Sequence, residues 1–262
     1  MNGVSLSLKD RVAIISGGSR GIGAATVKMF VAAGAKVVFN YQKDKRAAES
    51  VVRECGGEAN CAAIQLDLDS PASAKKLVEA AVGRFGALDI LVANHGIWPP
   101  QDAAIDQMSD EQWRKTMAVN LDAVFGLVKH SVAQMKAQTK NTHAAGHIVL
   151  ISSTSGQRGE AFHCDYSASK GALISMVKSL STELAPHGIY VNCVAPGWVA
   201  TDMAAPALDD PTIGKKIAAT IPLGRAGTPE EIAAPVLFLC TEHASFITGE
   251  IFNVNGGAVL VG

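Results

Sequence analysis

Short runs of apolar residues recur along the chain, separated by longer segments in which apolar residues have helical spacing. Runs of this length, rich in Val and Ile and bounded by Gly, Pro or polar residues, predict strands. Because the runs are continuously apolar, helices are expected to cover both faces of a parallel sheet. The predicted strands lie at residues 11–16, 36–40, 61–66, 89–93, 147–152, 190–195 and 251–254.

The segments between the strands predict helices, several of which begin at a recognisable cap. Ser70 precedes Pro71, a pair typical of a helix start. Ser109 and Thr228 each begin a capping-box pattern, completed by Gln112 and Glu231. The predicted helices cover residues 21–33, 44–55, 70 onward, 109–138, 165–184 and 228–240.

Strands and helices therefore alternate almost throughout the chain. This order predicts a single doubly wound α/β domain over residues 1–262, with a parallel sheet of about seven strands. The exception is a lid-like insertion at about residues 196–220, which begins as a long irregular segment. A loop of this length in a compact domain is often an active-site lid.

Composition and charge narrow the function classes. The 262 residues are 48% hydrophobic and 18% charged with a net charge of -1, which indicates a folded protein and gives no support to a nucleic-acid binder. No apolar stretch is long enough for a membrane span and residues 1–10 lack a signal-peptide pattern, so a cytoplasmic location is expected. The five cysteines contain no C-x-x-C pair, and His143 and His147 are expected at the surface, so no metal site is predicted.

A glycine-rich turn joins the first predicted strand to the first predicted helix. It reads Gly17-Gly-Ser19-Arg20-Gly21-Ile22-Gly23. Glycines here would let a pyrophosphate approach the free N–H groups of the helix N-terminus, where the helix dipole favours an anion. The position of the turn therefore predicts a dinucleotide-binding, Rossmann-type fold.

The same turn resembles the short-chain dehydrogenase/reductase family, whose loop reads T-G-x-x-x-G-x-G, with Ser16 in the place of Thr. Further motifs of that family follow in the same order on the predicted elements. They are Asn94-His95-Gly96, Asn120, Ser152-Ser153, Tyr166-x-x-x-Lys170, Pro196-Gly197 with Thr201, Ile247-Thr-Gly249 and Asn253-Val-Asn-Gly-Gly257. The sequence departs from the family at His95, which replaces a small residue, and at Asn255, which replaces Asp.

The resemblance implies a catalytic set. Tyr166 would exchange a proton with the substrate oxygen, Ser153 would hold that oxygen, and Lys170 would lower the pKa of Tyr166 and bind the nicotinamide ribose. Asn120 would help to hold a water on a proton path from Lys170. The i,i+4 spacing independently puts Tyr166 and Lys170 on one helix face, where an ammonium can stabilise a phenolate. The family spacing selects Ser153 rather than Ser152, which would face away.

The resemblance also implies an NAD(P) cofactor and residues that bind it. They are Gly17, Ser19, Arg20, Gly21, Ile22, Gly23, Asn40, Tyr41, Asp67, Leu68, Asn94, Gly96, Pro196, Gly197, Val199 and Thr201, together with Tyr166 and Lys170. NADP(H) is predicted over NAD(H), because the second strand ends in Asn40 and lacks the carboxylate that would repel a 2′-phosphate. Arg20 lies within reach of that phosphate, and an Arg fork suits it.

The predicted activity is a reversible NADPH-dependent carbonyl reduction on a small-molecule carbonyl or alcohol. A 3-oxoacyl-thioester, a sugar or polyol, and another ketone remain alternative substrates. A non-catalytic dinucleotide-binding protein is the other class, and it would be expected to lack the Ser, Tyr or Lys. The candidate substrate contacts are Trp98, Ser153, Ser155, His163 and Trp198. The aromatic members of this set could equally serve to cover the core.

Apolar residues on two helices predict a homotetramer. They are Val124, Phe125, Leu127 and Val128 on one helix, and Leu173, Ile174, Met176, Val177, Leu180 and Leu184 on the other. Relatives pair these two helices across a two-fold axis, and the strand at residues 251–254 is expected in a second interface. No nucleic-acid or membrane partner is expected.

Overall fold

Each predicted strand forms within a residue or two of its expected place. The structure is a computed structural model that describes residues 5–138 and 144–261. Its strands are β1 (Val12–Ile15), β2 (Lys36–Tyr41), β3 (Cys61–Gln65), β4 (Ile90–Ala93), β5 (Gly146–Ile151), β6 (Ile189–Pro196) and β7 (Ile251–Val254). Within the described ranges they form one parallel seven-stranded sheet in the order β3-β2-β1-β4-β5-β6-β7.

Helices cover both faces of this sheet, so the predicted Rossmann-type architecture is confirmed. They are α1 (Gly21–Ala32), α2 (Lys45–Glu54), α3 (Pro71–Phe85), α4 (Asp110–Met117), α5 (Ala123–Ala137), α6 (Thr154–Arg158), α7 (Cys164–Leu184), α8 (Ala205–Leu208), α9 (Pro211–Ala219) and α10 (Pro229–Leu239). The cap at Ser70 and the capping box between Thr228 and Glu231 form as predicted. At Ser109 only half of the box forms, because the Gln112 side chain instead donates to the Asp165 carboxylate.

The long helix predicted at residues 109–138 is interrupted. A π-helical segment, Ala118–Asp122, separates α4 from α5. Such segments are rare and frequently lie at functional sites, where they redirect a side chain. Here the segment carries Asn120 into the interior, where it is fully buried.

Two other expectations need correction. The irregular segment predicted from Pro196 to Pro211 contains the short helix α8, and α9 begins at Pro211 within the lid-like insertion at about residues 196–220. His147, expected at the surface, is buried in β5, a central strand covered on both faces, and its ring stacks on Tyr190. His143 lies outside the described residues.

The order of the strands determines where a ligand can bind. Strand β1 lies between β2 and β4, so the chain connections leave its carboxyl end in opposite directions. A crevice opens at such a switch point in an open α/β sheet. Ser16 and Asn94 follow the adjacent strands β1 and β4, and the next strand, β5, is followed by Ser152 and Ser153. The motif residues therefore gather at one edge of the sheet.

Candidate active site

A cavity of about 900 Å³ lies at this edge and runs from the glycine-rich turn to α7. Every predicted cofactor residue lines it, as do Trp98, Ser153, Ser155 and Trp198. Asn120 and His163 lie behind its wall. The cavity also contacts Met203 and the Arg158–Glu160 ion pair, which the sequence patterns did not single out.

The glycine-rich turn leaves its backbone open to a ligand. Gly17 and Gly21 adopt positive φ angles of 68° and 53°, which favour glycine. A Cβ at Gly23 would collide with the carbonyl oxygen of Gly17, so no larger residue fits the first turn of α1. Arg20, the N-cap of α1, provides no side-chain cap for that helix. The first N–H groups of α1 are thus suited to an anion such as a pyrophosphate.

The side chain of Asn40 serves the backbone of the turn. Its Oδ1 accepts a hydrogen bond from Gly17 N at 2.9 Å, and its Nδ2 donates to Leu66 O at 2.9 Å. It is buried, so it joins the ends of β1, β2 and β3. Asn40 therefore shapes the site, since its amide oxygen and its amide nitrogen each hold a backbone group in place.

Ser16 forms a junction between β1 and β4. Its hydroxyl accepts from Asn94 N at 2.9 Å and His95 N at 3.2 Å, and lies 2.7 Å from His95 Nδ1. With both lone pairs engaged, the hydroxyl can donate to Nδ1 at 2.7 Å or to Val92 O at 3.5 Å. The shorter distance favours Nδ1, which assigns the proton of the neutral ring to Nε2. Burial lowers the pKa of His95 to about 3, helped by the Lys170 charge, so the ring stays neutral.

The Nε2 atom of His95 is buried. Among residues 5–138 and 144–261, no group completes a hydrogen bond with it. The backbone of Val119 is near enough to raise the pKa of the ring slightly, but its geometry falls short of a hydrogen bond. Motif comparison identifies this position only as a departure from a small residue, and gives no sign that it bonds to Ser16.

Tyr166 and Lys170 lie one turn apart near the N-terminus of α7. Lys170 is buried, and its ammonium donates to Ile151 O at 2.9 Å and lies 5.8 Å from the centre of the Tyr166 ring. Burial lowers the pKa of Lys170 to about 8. Burial also raises the pKa of Tyr166 to about 12, and the nearby Ser153 hydroxyl offsets this only partly.

This direction for Tyr166 is opposite to the lowered pKa expected from its lysine neighbour. The physical reason is desolvation by burial, which disfavours the phenolate. The phenol of the protein by itself is therefore a proton donor held in its neutral form.

The two serines that end β5 have separate contacts, as the alternation along a strand predicts. Ser152 is buried, and its hydroxyl donates to Lys170 O at 2.7 Å. Ser153 is half-buried on the cavity wall and caps α6 by accepting from Ser155 N at 3.1 Å. The hydroxyl of Ser155 is paired with Ser167 at 2.8 Å. Ser153 thus has the more available hydroxyl beside Tyr166.

Asn120 links the inner wall to α7. Its Oδ1 accepts from Ile97 N at 2.8 Å, and its Nδ2 donates to Ile97 O at 3.0 Å and to Ser169 Oγ at 3.2 Å. Ser169 in turn donates to Tyr166 O at 2.7 Å. Sequence reasoning missed Ser169, although it lies three residues after Tyr166 and hence on the same helix face.

The segment after β6 closes over the glycine-rich turn. A Cβ at Gly21 would lie 3.1 Å from Thr201 Cγ2, so these residues are in close apposition. At the outer end, Arg20 Nη1 lies 3.5 Å from Asp202 Oδ2, with both side chains largely exposed. Gln42 Nε2 donates to Asp67 at 2.6 Å on the facing side.

The arrangement matches a known family. A family model described as enoyl-(acyl carrier protein) reductase matches residues 17–259, from the glycine-rich turn to beyond the last strand. The chain belongs to the short-chain dehydrogenase/reductase family. Within the described residues, no helix is long and apolar enough to cross a bilayer.

Curated relatives agree over nearly the whole chain. The 3-oxoacyl-[acyl-carrier-protein] reductase FabG of Salmonella typhimurium is 40% identical over 256 residues, covering 98% of this chain and 100% of the relative. The 3-oxoacyl-[acyl-carrier-protein] reductase of Synechocystis is 38% identical over 258 residues, covering 97% and 99%. The protein is thus an oxidoreductase of this family and is most like the 3-oxoacyl-[acyl-carrier-protein] reductases.

Solved structures show the same fold with nicotinamide cofactors. A 3-ketoacyl-(acyl-carrier-protein) reductase of Brucella melitensis complexed with NADH has a TM-score of 0.87 at 32% identity, covering 97% of this chain and 100% of that one. A blue fluorescent protein from a metagenomic library, in complex with NADPH, has a TM-score of 0.87 at 32% identity, with the same coverage. These relatives support a nicotinamide dinucleotide cofactor for the family member described here.

Proposed function

We propose that the protein is an NADPH-dependent reductase that converts a ketone to a secondary alcohol, reversibly, with Tyr166 as the proton donor. The observation that carries this proposal is the convergence at one cavity end of a neutral phenol, an adjacent serine hydroxyl and a buried ammonium. A phenol with a raised pKa holds its proton at neutral pH and can donate it to an oxygen that becomes negative.

The residues present fit a dinucleotide. The N-terminus of α1 and the turn before it would hold the pyrophosphate, and Lys170 would bind the nicotinamide ribose. When bound, the nicotinamide supplies or accepts the hydride. Ser153 donates a hydrogen bond to the substrate carbonyl oxygen, and the Tyr166 hydroxyl then transfers its proton to that oxygen. Lys170 steadies the resulting phenolate until a proton returns from solvent.

NADP(H) is proposed over NAD(H). The end of β2 at Asn40 and Tyr41 offers no carboxylate, and the Asn40 amide makes hydrogen bonds to the backbone at Gly17 and Leu66. Arg20 is the cation nearest the glycine-rich turn on the rim, so it is the residue that would contact a 2′-phosphate. Asp202 Oδ2 lies 3.5 Å from Arg20 Nη1 and competes with the phosphate for the guanidinium, which reduces the preference for NADP(H).

A 3-oxoacyl thioester is the first substrate candidate, because relatives that cover the whole chain bear that activity in their names. A ketone of another kind is the second candidate, favoured by the aromatic residues Trp98 and Trp198 on the cavity wall.

The protein is also proposed to assemble as a homotetramer. On α7, Leu173, Val177 and Leu184 are buried within the subunit, so part of the apolar pattern needs no partner. Phe125 on α5 remains 49% exposed and Leu260 near the end of the chain 89% exposed. Light scattering tests this directly, since a subunit has a mass of 27.2 kDa and a stable species of that mass would contradict the assembly.

The activity is tested by following the loss of NADPH absorbance with a panel of ketones. Tyr166→Phe keeps the ring and removes the proton, so turnover should fall by about 10²–10⁴-fold or more. Tyr190→Phe is the matched control, because Tyr190 stacks on His147 in the sheet away from the cavity. Near-normal turnover in the Tyr166 variant would refute the assigned role.

A further inference from the structure

The indole of Trp98 stands directly beside the proposed proton donor. The rings of Trp98 and Tyr166 are 4.7 Å apart between centres at an interplanar angle of 72°, an edge-to-face contact. Trp98 is half-buried and lines the cavity. A substrate whose carbonyl oxygen reaches Tyr166 must therefore place one of its two carbonyl substituents close to this indole.

His163 fixes the indole from behind. Its ring stacks on Trp98 at 3.9 Å between centres with an interplanar angle of 18°. The imidazole is buried, with Nε2 at 3.1 Å from Pro99 O and Nδ1 at 3.3 Å from Ala161 O. The imidazole thus contacts Pro99, in the loop after β4, and Ala161, just before α7. The Trp98 indole, which belongs to the same loop as Pro99, is thereby held against the start of α7. His163, a predicted substrate contact, is buried behind Trp98 and is not among the residues that line the cavity.

The turn that inserts His163 is conformationally unusual. Phe162 has φ of +63°, in the left-handed region that bulky side chains rarely adopt. Its carbonyl accepts a hydrogen bond from Ala103 N at 3.0 Å, which ties the turn to the same loop as Trp98. The Phe162 side chain is turned outward and is 53% exposed, while His163 points inward. A strained turn that delivers one ring behind another is a feature to be explained by function.

Arg158, which lines the cavity together with Lys115 and Lys170, already has an acidic partner. Arg158 and Glu160 both line the cavity and form an ion pair at 2.6 Å. The Arg158 guanidinium is thus not a free cation awaiting an acidic carrier. Next to Tyr166, the flat Trp98 indole forms part of the cavity wall.

We propose that Trp98 is a specificity-determining wall that favours ketones with a flat ring next to the carbonyl, and that His163 is the positioning residue that holds it. The proposal rests on the carbonyl reduction proposed above. A planar ring can lie with its whole face or edge against the fixed indole, whereas a puckered ring of the same size contacts it through fewer atoms and lacks the aromatic pair interaction. Stacked or edge-to-face aromatic pairs exceed simple burial by an amount that corresponds to about 2- to 10-fold in binding.

The test compares acetophenone with cyclohexyl methyl ketone, which have the same carbon skeleton but a flat and a puckered ring. The two ketones differ in intrinsic reactivity, so the measured quantity is the change in the ratio of their kcat/KM values on substitution. Trp98→Leu should lower the ratio of kcat/KM for acetophenone to kcat/KM for cyclohexyl methyl ketone about 3- to 10-fold. Trp98→Phe should retain most of the wild-type ratio. Trp113→Leu, on α4 away from the cavity, is the control and should leave the ratio unchanged.

For His163 the expected signature is a change in KM. In His163→Asn the indole loses its stacked support, so KM for acetophenone should rise several-fold while kcat for cyclohexyl methyl ketone changes little. His163→Phe keeps a stacked ring and should restore part of the ratio. A purely structural role would instead lower kcat for both ketones together, and that result would overturn the positioning role.

The proposed role of Trp98 would be overturned if neither Trp98 variant changed the kcat/KM ratio of the two ketones, or if Trp113→Leu changed it equally. Faster reduction of the linear S-acetoacetyl thioester of N-acetylcysteamine than of acetophenone, with a ratio that Trp98 variants do not move, would do the same. If wild type reduces all three ketones and the Trp98 substitutions leave the kcat/KM ratios unchanged, the specificity role of Trp98 is refuted and the proposed reductase function is not. If wild type reduces none of them with NADPH or NADH, the proposed function itself fails.

Discussion

The inner end of the cavity and its outer rim are held by different kinds of contact. At the inner end, Asn120, Ser169 and Lys170 are buried, and each is tied to backbone or to another member of the group by a hydrogen bond. At the rim, Arg20 and Asp202 meet at 3.5 Å with side chains 70% and 71% exposed.

This difference separates the reaction from the choice of cofactor. Buried polar groups must keep their partners, because an unpaired one costs about 1–3 kcal/mol. Exposed ion pairs contribute at most about 1 kcal/mol and can change with little consequence for folding. Substitutions at the inner end should therefore alter turnover or stability, and substitutions at the rim should alter only the preference between cofactors.

Lys170→Met gives the sharpest contrast. Removing the ammonium should lower turnover by about 10²-fold or more, because the phenolate loses its stabilising charge. The change in stability at pH 7 should be small, because removal of a charge whose pKa is lowered by burial offsets the loss of the hydrogen bond to Ile151 O. Steady-state kinetics and urea unfolding measure the two effects. Lys178→Met, exposed on the same helix, should change neither, and a large stability loss in Lys170→Met would contradict this view.

The same lysine should make the stability of wild type depend on pH. Its pKa is about 8 in the folded protein, against an ordinary value of 10.5. Below pH 8 both states carry the proton and the burial penalty is complete. Between about pH 8 and 10.5 the folded state gives up this proton first, so the contribution of Lys170 to the free energy of unfolding should rise by up to about 1.4 kcal/mol per pH unit. Burial raises the pKa of Cys55, Cys61, Cys193 and Cys240, which lowers the stability of both proteins above about pH 9. The rise is therefore measured as the difference in unfolding free energy between cofactor-free wild type and Lys170→Met, by urea unfolding at each pH.

Asn120→Ala tests whether the inner end is rigid because of its amide. The change leaves the N–H and C=O of Ile97 without their side-chain partner, so unfolding free energy should fall by about 1–3 kcal/mol. Turnover should fall as well, because Ser169 and Tyr166 lose a neighbour. Asn253→Ala is the control for stability, because it removes an exposed amide on β7 that accepts a hydrogen bond from the Gln157 side chain, so the expected loss is at most about 1 kcal/mol. Equal stability of the Asn120 variant and wild type would mean that the π-helical segment is held by other contacts.

At the rim, Arg20→Ala should reduce the preference for NADPH over NADH about tenfold, the lower part of the range for a charged hydrogen-bond donor. The unfolding free energy should stay the same. The measurement is kcat/KM for both cofactors, with Arg46→Ala on α2 as an exposed control. Equal use of NADH by wild type would remove the basis of the preference.

Asp202→Asn should have the smallest effect and the opposite sign. Removing the carboxylate frees Arg20, so KM for NADPH should fall about 2- to 5-fold while KM for NADH barely changes. The difference should shrink at high salt, because both groups are exposed to counterions. A rise in KM for NADPH would indicate that Asp202 orients Arg20 and does not compete for it.

Periodicity located the sheet well because each strand is a continuous apolar run between turn residues, so its ends are marked twice. The π-helical segment at Asn120 could not be predicted from the sequence, because the residue types there are ordinary for an α-helix. The widened turn depends on hydrogen bonds between the Asn120 amide and the backbone of Ile97 across the site. His147 was misjudged for a similar reason. Its polarity argued for the surface, whereas pairing between β4 and β6 placed it inside.

The candidate site was recognisable through its motifs, but the physical state of its members was not. Spacing puts Lys170 beside Tyr166, yet only the fold supplies the desolvation that raises the pKa of the phenol. In the same way, sequence placed both Trp98 and His163 on loops at one edge. Which of them faces the cavity depends on the backbone turn at Phe162.

The position of β1 has a consequence for how the protein is made. Its partner β2 follows after α1, with paired residues Val12 and Lys36 only 24 positions apart. Its other partner, β4, emerges from the ribosome much later, since the paired residues Ala13 and Ile90 are 77 positions apart. Until then one edge of β1 is uncovered, with backbone groups ready to pair with any other strand. The crevice between β1 and β4 cannot exist in a nascent chain of that length. Cofactor added during translation would therefore have nothing to bind until the fourth strand is released, and a chaperone that shields the first strand edge is the kind of assistance this topology calls for.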